Sequence, residues 1–361
     1  MAVKVLMVPD WRSGNPYMQL LSQSIEDSGG QVSFANYPSG YFPLTKLRLS
    51  HAKTDVIHLH WLAGLINPIL WSRGGWRRYA KLMALVADIV FAKTLRTRFV
   101  WTIHNSIEHE SINPAAELQT RKVLSRIVDH VIIHSESAFK AIQSEYGSGS
   151  IKFNKTSIIR HGHFLDCYQL NPTSAISLRN KLGINKSHTT LLFFGLVRKY
   201  KGLDHLLAAL KVEARDDLRI IIAGRPFSKE VQQDIEQAAM HDERIRLALE
   251  FIPNNEVAAY FDIADAAVIP FERILTSGSA ILAMSFGKAL ILPESAKVLD
   301  LPDIDSTHYY DDDLALAKLL GNLDKKQLTL MGAKNRDLVK QFKWQVAGQQ
   351  TMQCYRHSQN I

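Results

Sequence analysis

Cysteine is nearly absent. Two residues, Cys167 and Cys354, in a chain of 361 rule out a disulfide framework, and neither stands at metal-ligand spacing. A reducing, cytoplasmic compartment is the expectation. No apolar run approaches the ~18 residues that a spanning helix needs. The opening MAVKVLMVPDW has one Lys, a short apolar run and no cleavage pattern, so it reads as a buried strand rather than a leader. Internal repeats and low-complexity tracts are missing, as are HExxH, Walker and GxGxxG motifs. No DxD follows a strand in the second half; Asp311-Asp312-Asp313 comes late and reads as a helix start. No bound metal and no separate cofactor are therefore expected.

What is present is ordinary globular material: 46% hydrophobic and 22% charged residues, enough for two cores. Short apolar runs recur at 3–8, 31–37, 56–59, 99–103, 130–133 and 157–159. They recur again at 190–194, 218–223, 245–251, 266–269 and 289–292. Most are continuous rather than alternating, as parallel strands covered on both faces are. Helical patterns separate them. The alternation predicts an α/β protein with doubly wound parallel sheets. A polar stretch carrying Asn171-Pro172 at 165–187 marks the break. The expected domains are 1–168 and 169–335, with a C-terminal helix at 336–361 returning to the first half.

Ligands of open parallel sheets bind beyond the carboxyl ends of the strands. In the first half those ends carry Asp10 and Gly14, then HLHW at 58–61. After these come Thr102-Ile103-His104-Asn105 with Glu108 and Glu110, then His134 and His161. In the second half, Gly195 opens a loop holding Arg198 and Lys201 before a helix, and Gly224-Arg225 repeats the strand–Gly–basic order. A helix N-terminus with two nearby cations suits a diphosphate. Thr276, Ser277, Gly278 and Ser279 open another helix with small residues and backbone N–H groups, a second phosphate cradle; a plain Ser cap accounts for them equally well.

In order, FFGLVRKYKGLDHLLAAL, RIIIAG, FIPNNEVAAYFDIADAAVIPF and TSGSAILAMSFGKALILP resemble the donor half of GT-B glycosyltransferases. The group is the retaining one often numbered family four, or glycosyl transferases group 1. HLHW, TIHNSIEHES, VIIHSESA and IIRHG resemble its acceptor-side strand ends. The resemblance implies two Rossmann-like domains facing a cleft. It implies that Arg198 and Lys201 hold the donor diphosphate, with Gly195 and Gly224 in the turns beside them. It gives residues 276–279 the distal phosphate oxygens and Phe251, Ile252 and Pro253 the nucleobase. His104 then lies near the transferred sugar, and Gly14 faces the donor from the first half. Two departures stand out. Leu196 replaces the usual Arg after the glycine, and Ile274 and Leu282 occupy the places of two glutamates, with Glu272 out of register.

The expected reaction is hexosyl transfer from a UDP- or GDP-sugar to a carbohydrate or polyprenyl-linked saccharide, with no metal required. Retention is preferred to inversion. An inverting enzyme needs a carboxylate base, for which Asp10, Glu108 and Glu110 are available. The net charge of +8 favours anionic partners. Residues 73–98 hold seven basic residues against one Asp, interleaved with Trp76, Tyr79 and Phe91 and preceded by Trp71. This suits peripheral docking through 71–98 on an anionic membrane such as the inner face of the plasma membrane. A nucleotide-sugar epimerase of GT-B shape is an alternative. A basic nucleic-acid-binding protein is another, but no such module reads out and nucleic acid is not expected as a partner.

Overall fold

The computed structural model describes residues 2–357 except 14, 15, 52, 109, 148, 152 and 303. The elements of the first half are β1 (Val3–Val8), α1 (Pro16–Asp27), β2 (Gly30–Phe34), α2 (Pro43–Ser50), β3 (Val56–Leu59) and α3 (Ala63–Leu70). They continue as α4 (Gly75–Thr94), β4 (Arg98–Thr102), α5 (Pro114–Ile127), β5 (His130–Ile133), α6 (Glu136–Tyr146) and β6 (Thr156–Ile158). The second half holds α7 (Pro172–Lys181), β7 (Thr189–Phe194), α8 (Leu203–Val212), β8 (Leu218–Ala223), α9 (Lys229–His241), β9 (Ile245–Ala248) and α10 (Asn254–Ile263). It ends with β10 (Ala266–Val268), α11 (Gly278–Ser285), β11 (Ala289–Pro293), β12 (Thr307–Tyr310), α12 (Asp313–Gly321), α13 (Lys325–Val339) and α14 (Trp344–His357).

The chain divides into two units. Residues 1–162 and 342–361 form the first, and residues 163–341 the second. The first break falls at Gly162/His163 rather than 168/169, and the second at 341/342 rather than 335/336. Asn171-Pro172, read as part of the break, instead starts α7: the Asn171 side chain accepts from Thr173 N at 3.0 Å and Pro172 takes the first helical position. The strand expected at 245–251 stops at Ala248, because Pro253 already caps α10 and Phe251 projects outward. The strand expected at 31–37 stops at Phe34.

Each unit is built on one six-stranded, wholly parallel sheet. The strand order is β2-β1-β3-β4-β5-β6 in the first and β12-β11-β10-β7-β8-β9 in the second. Interior strands such as β7 and β8 are buried along nearly their whole length, which is why their sequences run apolar without alternation. In the second unit the order reverses between β7 and β10, and in the first between β1 and β3. These are the two topological switch points.

The first unit's core is closed by α14. Ala347, Met352 and Tyr355 join Val5, Met7, Ile25, Val100 and Ile132 in one buried cluster. Ser24 donates its hydroxyl to the carbonyl of Trp344, and Tyr355 bonds His58 Nδ1 at 2.6 Å.

Candidate active site

In the second unit the structure gathers the sequence-predicted residues on one edge of the sheet, the carboxyl ends of β7 to β10. Gly195 leaves β7 at φ +112 and Gly202 enters α8 at φ +64, conformations natural to glycine. Between them a turn over Lys199–Lys201 tucks Lys201 inward until it is only 8% exposed. Its ammonium lies 4.8 Å over the Phe271 ring, at the β7/β10 switch point. Burial, and then the neighbouring Arg198, depress its pKa to about 8. Among the described residues no carboxylate forms an ion pair with it.

The Arg198 guanidinium lies 4.0 Å over Phe227. That placement follows from main-chain splicing of two loops. Val197 N donates to Arg225 O at 3.0 Å, and Phe227 N donates to Val197 O at 2.9 Å. Gly224 sits in the second of these loops at φ +142. Glu272 N donates to Tyr200 O at 3.3 Å, tying the β10 loop to the same turn. Two cations are thus held on the loop at the end of β7, against the neighbouring loops at the ends of β8 and β10.

Ser277 caps α11, its hydroxyl accepting from Ala280 N at 3.1 Å. The hydroxyl is therefore occupied by the cap, and what remains on offer is the first-turn N–H groups of Gly278 and Ser279, with Thr276 just outside. At the sheet's far edge Phe251 is 64% exposed, Ile252 is buried and Pro253 precedes α10.

In the first unit, four strand-end histidines, His60, His104, His134 and His161, meet around Tyr17, and His58 of β3 packs on His60 behind them. His60 Nδ1 and His104 Nε2 are 3.2 Å apart, and Trp61 stacks on His104 with centroids 4.4 Å apart and planes 9° from parallel. Trp11 stacks on Trp61 in turn at 4.5 Å. Burial, the largest cause throughout, pushes His58, His60, His104, His134 and His161 below the ordinary imidazole range, His58 and His161 to about 3. They are neutral imidazoles near pH 7. A carbonyl can only accept, so the 2.7 Å contact of His134 Nδ1 with Ile159 O fixes the proton on Nδ1. Nε2 of His134 is then a lone-pair acceptor, buried and without a partner. Aromatic faces beside neutral imidazole acceptors are chemistry suited to sugar C–H faces and hydroxyls.

The loop carrying His104 is held by a buried ion-pair network that sequence reasoning missed. Arg121 donates to Glu117 Oε1 at 2.7 Å, to Glu108 Oε1 at 3.2 Å and to the Asn105 carbonyl at 2.9 Å. Glu108, an acid–base candidate from sequence, is thereby a loop anchor. Asp10 is gripped by Arg12 at 2.8 Å, and that hydrogen bond holds its carboxyl below the usual range, weakening it as a base. Glu110 is exposed. Gly14 lies outside the described residues. Trp11, Phe227 and Phe271 were also missed; only their places just past strand ends signalled them.

One group of possible metal ligands occurs among the described residues. Ligand atoms of Asp204, His205 and Glu272 lie within 4.8 Å of one another, all on half-buried or exposed side chains. His205 Nδ1 is already bonded to Asp313 at 2.8 Å.

With two six-stranded parallel sheets, one to each unit, the chain is a nucleotide-sugar glycosyltransferase of GT-B architecture. Residues 175–296 match the family model for glycosyl transferases group 1. It is 24% identical over 317 residues to a GDP-mannose:glycolipid 4-beta-D-mannosyltransferase of Xanthomonas campestris pv. campestris, covering 86% of this chain and 80% of the relative. It is 22% identical to an alpha-maltose-1-phosphate synthase of Mycolicibacterium smegmatis, covering 86% and 83%. Among solved structures, Anabaena HepE in complex with UDP superposes with a TM-score of 0.74 at 14% identity, covering 98% of this chain and 100% of that one. Sucrose-phosphate synthase of Thermosynechococcus elongatus gives 0.75 at 16% identity, covering 98% of each.

Proposed function

We propose that the enzyme transfers a hexose from a UDP- or GDP-sugar to a saccharide carried on a polyprenyl or other lipid phosphate. The observation that carries the donor half of this reading is Lys201: a buried ammonium, facing the Gly195 turn, with no carboxylate partner among the described residues. Such a group calls for an anion. The bond between the anomeric carbon and the β-phosphate oxygen breaks, and its electron pair leaves with the diphosphate. Lys201 and Arg198 stabilise that growing charge, an effect worth on the order of 3–4 kcal/mol per well-placed donor. Gly278 and Ser279 N–H groups reach a second set of oxygens, and Phe251 offers its face to the base. The acceptor saccharide lies on Trp61 and Trp11, with His104 and His134 taking its hydroxyls. Front-face attack, in which the leaving phosphate takes the acceptor proton, retains configuration. The weakening of Asp10 by Arg12 supports that course over one needing Asp10 as base.

A thermal-shift panel of nucleotide diphosphates and nucleotide sugars tests the donor assignment, since a selective ligand raises the melting temperature by mass action. Lys201→Ala removes the shift; a variant that keeps it contradicts the reading. Turnover that survives EDTA supports Lys201 and Arg198 as the charge carriers, and turnover that collapses points instead to Asp204, His205 and Glu272.

The lipid part of the reading draws on α4. Its inner face buries Leu82, Leu85, Ile89 and Ala92. Its outer face carries Trp76, Tyr79, Met83, Val90 and Phe91, each 45–73% exposed. A 20-residue helix apolar on both faces, basic at one end, suits the plane of an anionic bilayer. No helix among the described residues is long and apolar enough to cross one.

A further inference from the structure

Beside α4 lies a groove that no step of the transfer uses. It has a volume of about 510 Å³, within the range of small-molecule sites, and runs between the 37–43 loop, α3 and α4. Its floor is apolar: Leu65, Ile69, Leu85 and Ala84, with Gly64 leaving room for the Tyr37 ring. Its roof is held by a buried carboxylate on the opposite wall. Asp88 of α4 accepts from Leu44 N and Thr45 N, both at 2.8 Å, pinning the first turn of α2 and with it the loop that bears Tyr41 and Phe42.

The groove has a basic mouth. Lys81 lines it, its ammonium donating to Pro68 O at 2.9 Å, and both Lys81 and Tyr41 are shared with an adjoining hollow of about 490 Å³. That second hollow is walled by Arg73, Arg77, Trp71 and Trp76. An apolar slot opening onto three cations and two exposed indoles is the charge and polarity pattern of one amphiphile: an apolar tail with an anionic head. A soluble sugar or a nucleotide has no tail for the slot, and a peptide helix has no reason to find three cations gathered at one end of it.

We propose that this groove binds the hydrocarbon chain of the lipid-phosphate acceptor, with Lys81, Arg77 and Arg73 on its phosphate. The proposal rests on the lipid-linked acceptor named above and assigns that acceptor its own site in the first unit. It makes the groove, rather than the bilayer contact of α4 alone, the determinant of acceptor affinity. Burial of the chain in the apolar slot favours binding in proportion to the apolar surface removed from water.

Calorimetric titration with farnesyl phosphate, farnesol and inorganic pyrophosphate tests it. Farnesyl phosphate binds, farnesol binds more weakly, and pyrophosphate does not displace farnesyl phosphate. Ala84→Trp fills the slot and weakens farnesyl phosphate at least tenfold, while the tryptophan-detected urea midpoint of the first unit is unchanged, showing that the unit carrying the variant is folded. Arg77→Glu with Lys81→Glu weakens farnesyl phosphate but not farnesol. Farnesyl phosphate that fails to bind, that binds Ala84→Trp as well as wild type, or that is displaced by nucleotide diphosphate overturns the proposal. None of these outcomes touches the transferase reading, which stands or falls with the nucleotide panel and Lys201→Ala.

Discussion

Gly224 faces the carbonyl oxygen of Gly195 so closely that a methyl group on Gly224 would overlap that oxygen. The two glycines end neighbouring strands, and their contact lets the loops carrying Arg198 and Arg225 run side by side. At φ +142 an alanine is also strained in its own backbone, a cost of order 1–3 kcal/mol before any clash. Gly224→Ala is expected to lower the melting temperature by several degrees and to weaken nucleotide diphosphate binding at least tenfold. A variant that melts and binds like wild type would show that the two loops are not interlocked.

Lys201 sets a pH dependence for donor binding. Its pKa near 8 in the free protein means that the fold favours the neutral amine relative to the unfolded chain. Between about pH 8 and 10.5 the unfolded state binds more protons, so the stability of the ligand-free protein rises with pH across that window. Donor binding has the opposite sign. The diphosphate requires the ammonium, so affinity is level between pH 7 and 8 and then falls by up to about tenfold per pH unit. Calorimetry from pH 7 to 9.5 reads this directly. An affinity flat through pH 9.5 would place the diphosphate elsewhere.

The histidine cluster gives the first unit an acid limit. His58, His60, His104, His134 and His161 are neutral in the fold and their pKa values lie below 6.5. As pH falls below about 6.5 the unfolded chain takes up protons that the fold refuses. Stability then drops with a limiting slope of about 1.4 kcal/mol per pH unit for each such histidine. All six tryptophans belong to the first unit. Their fluorescence is expected to report unfolding at weakly acidic pH before far-ultraviolet circular dichroism shows loss of the second unit. Equal urea midpoints at pH 7 and pH 5 by tryptophan emission would refute the neutral cluster.

The seam between α1 and α14 is equally open to test. A side chain on Gly348 would overlap Ser24, whose hydroxyl holds the Trp344 carbonyl. Gly348→Val is expected to cost the first unit about 1–3 kcal/mol through overpacking, seen as a lower tryptophan-detected urea midpoint. The nucleotide thermal shift of the second unit stays as it was. A midpoint equal to wild type would show that α14 can slide on α1.

The two sheets are legible because the interior strands are covered on both faces and so spell continuous apolar runs. The strand-end loops with Gly195, Lys201, Gly224 and 276–279 were readable because glycine and a helix start mark such loops locally. What was not readable depends on pairings distant in sequence. Phe271 lies under Lys201 only because β10 sits beside β7, and Phe227 lies under Arg198 only through the Val197–Arg225 splice. Glu108 looked like an acid–base group because its lock on Arg121 comes from the next helix. The Asn171-Pro172 start of α7 reads equally as a break, because the same two residues signal a turn and a helix cap. The outer stripe of α4 is legible through Trp76, Tyr79 and Phe91; Met83 and Val90 join it only on the helix surface.

That α14 belongs to the first unit has a consequence for biosynthesis. Tyr355, Met352 and Ala347 reach their neighbours only after residues 163–341 have been translated. At ribosomal speeds of about 5–20 residues per second this is an interval of roughly 10–40 s. During that time the nascent chain shows the ribosome-bound chaperones an unfinished apolar surface where α14 will dock, while the second unit, continuous in sequence, is free to fold in one piece.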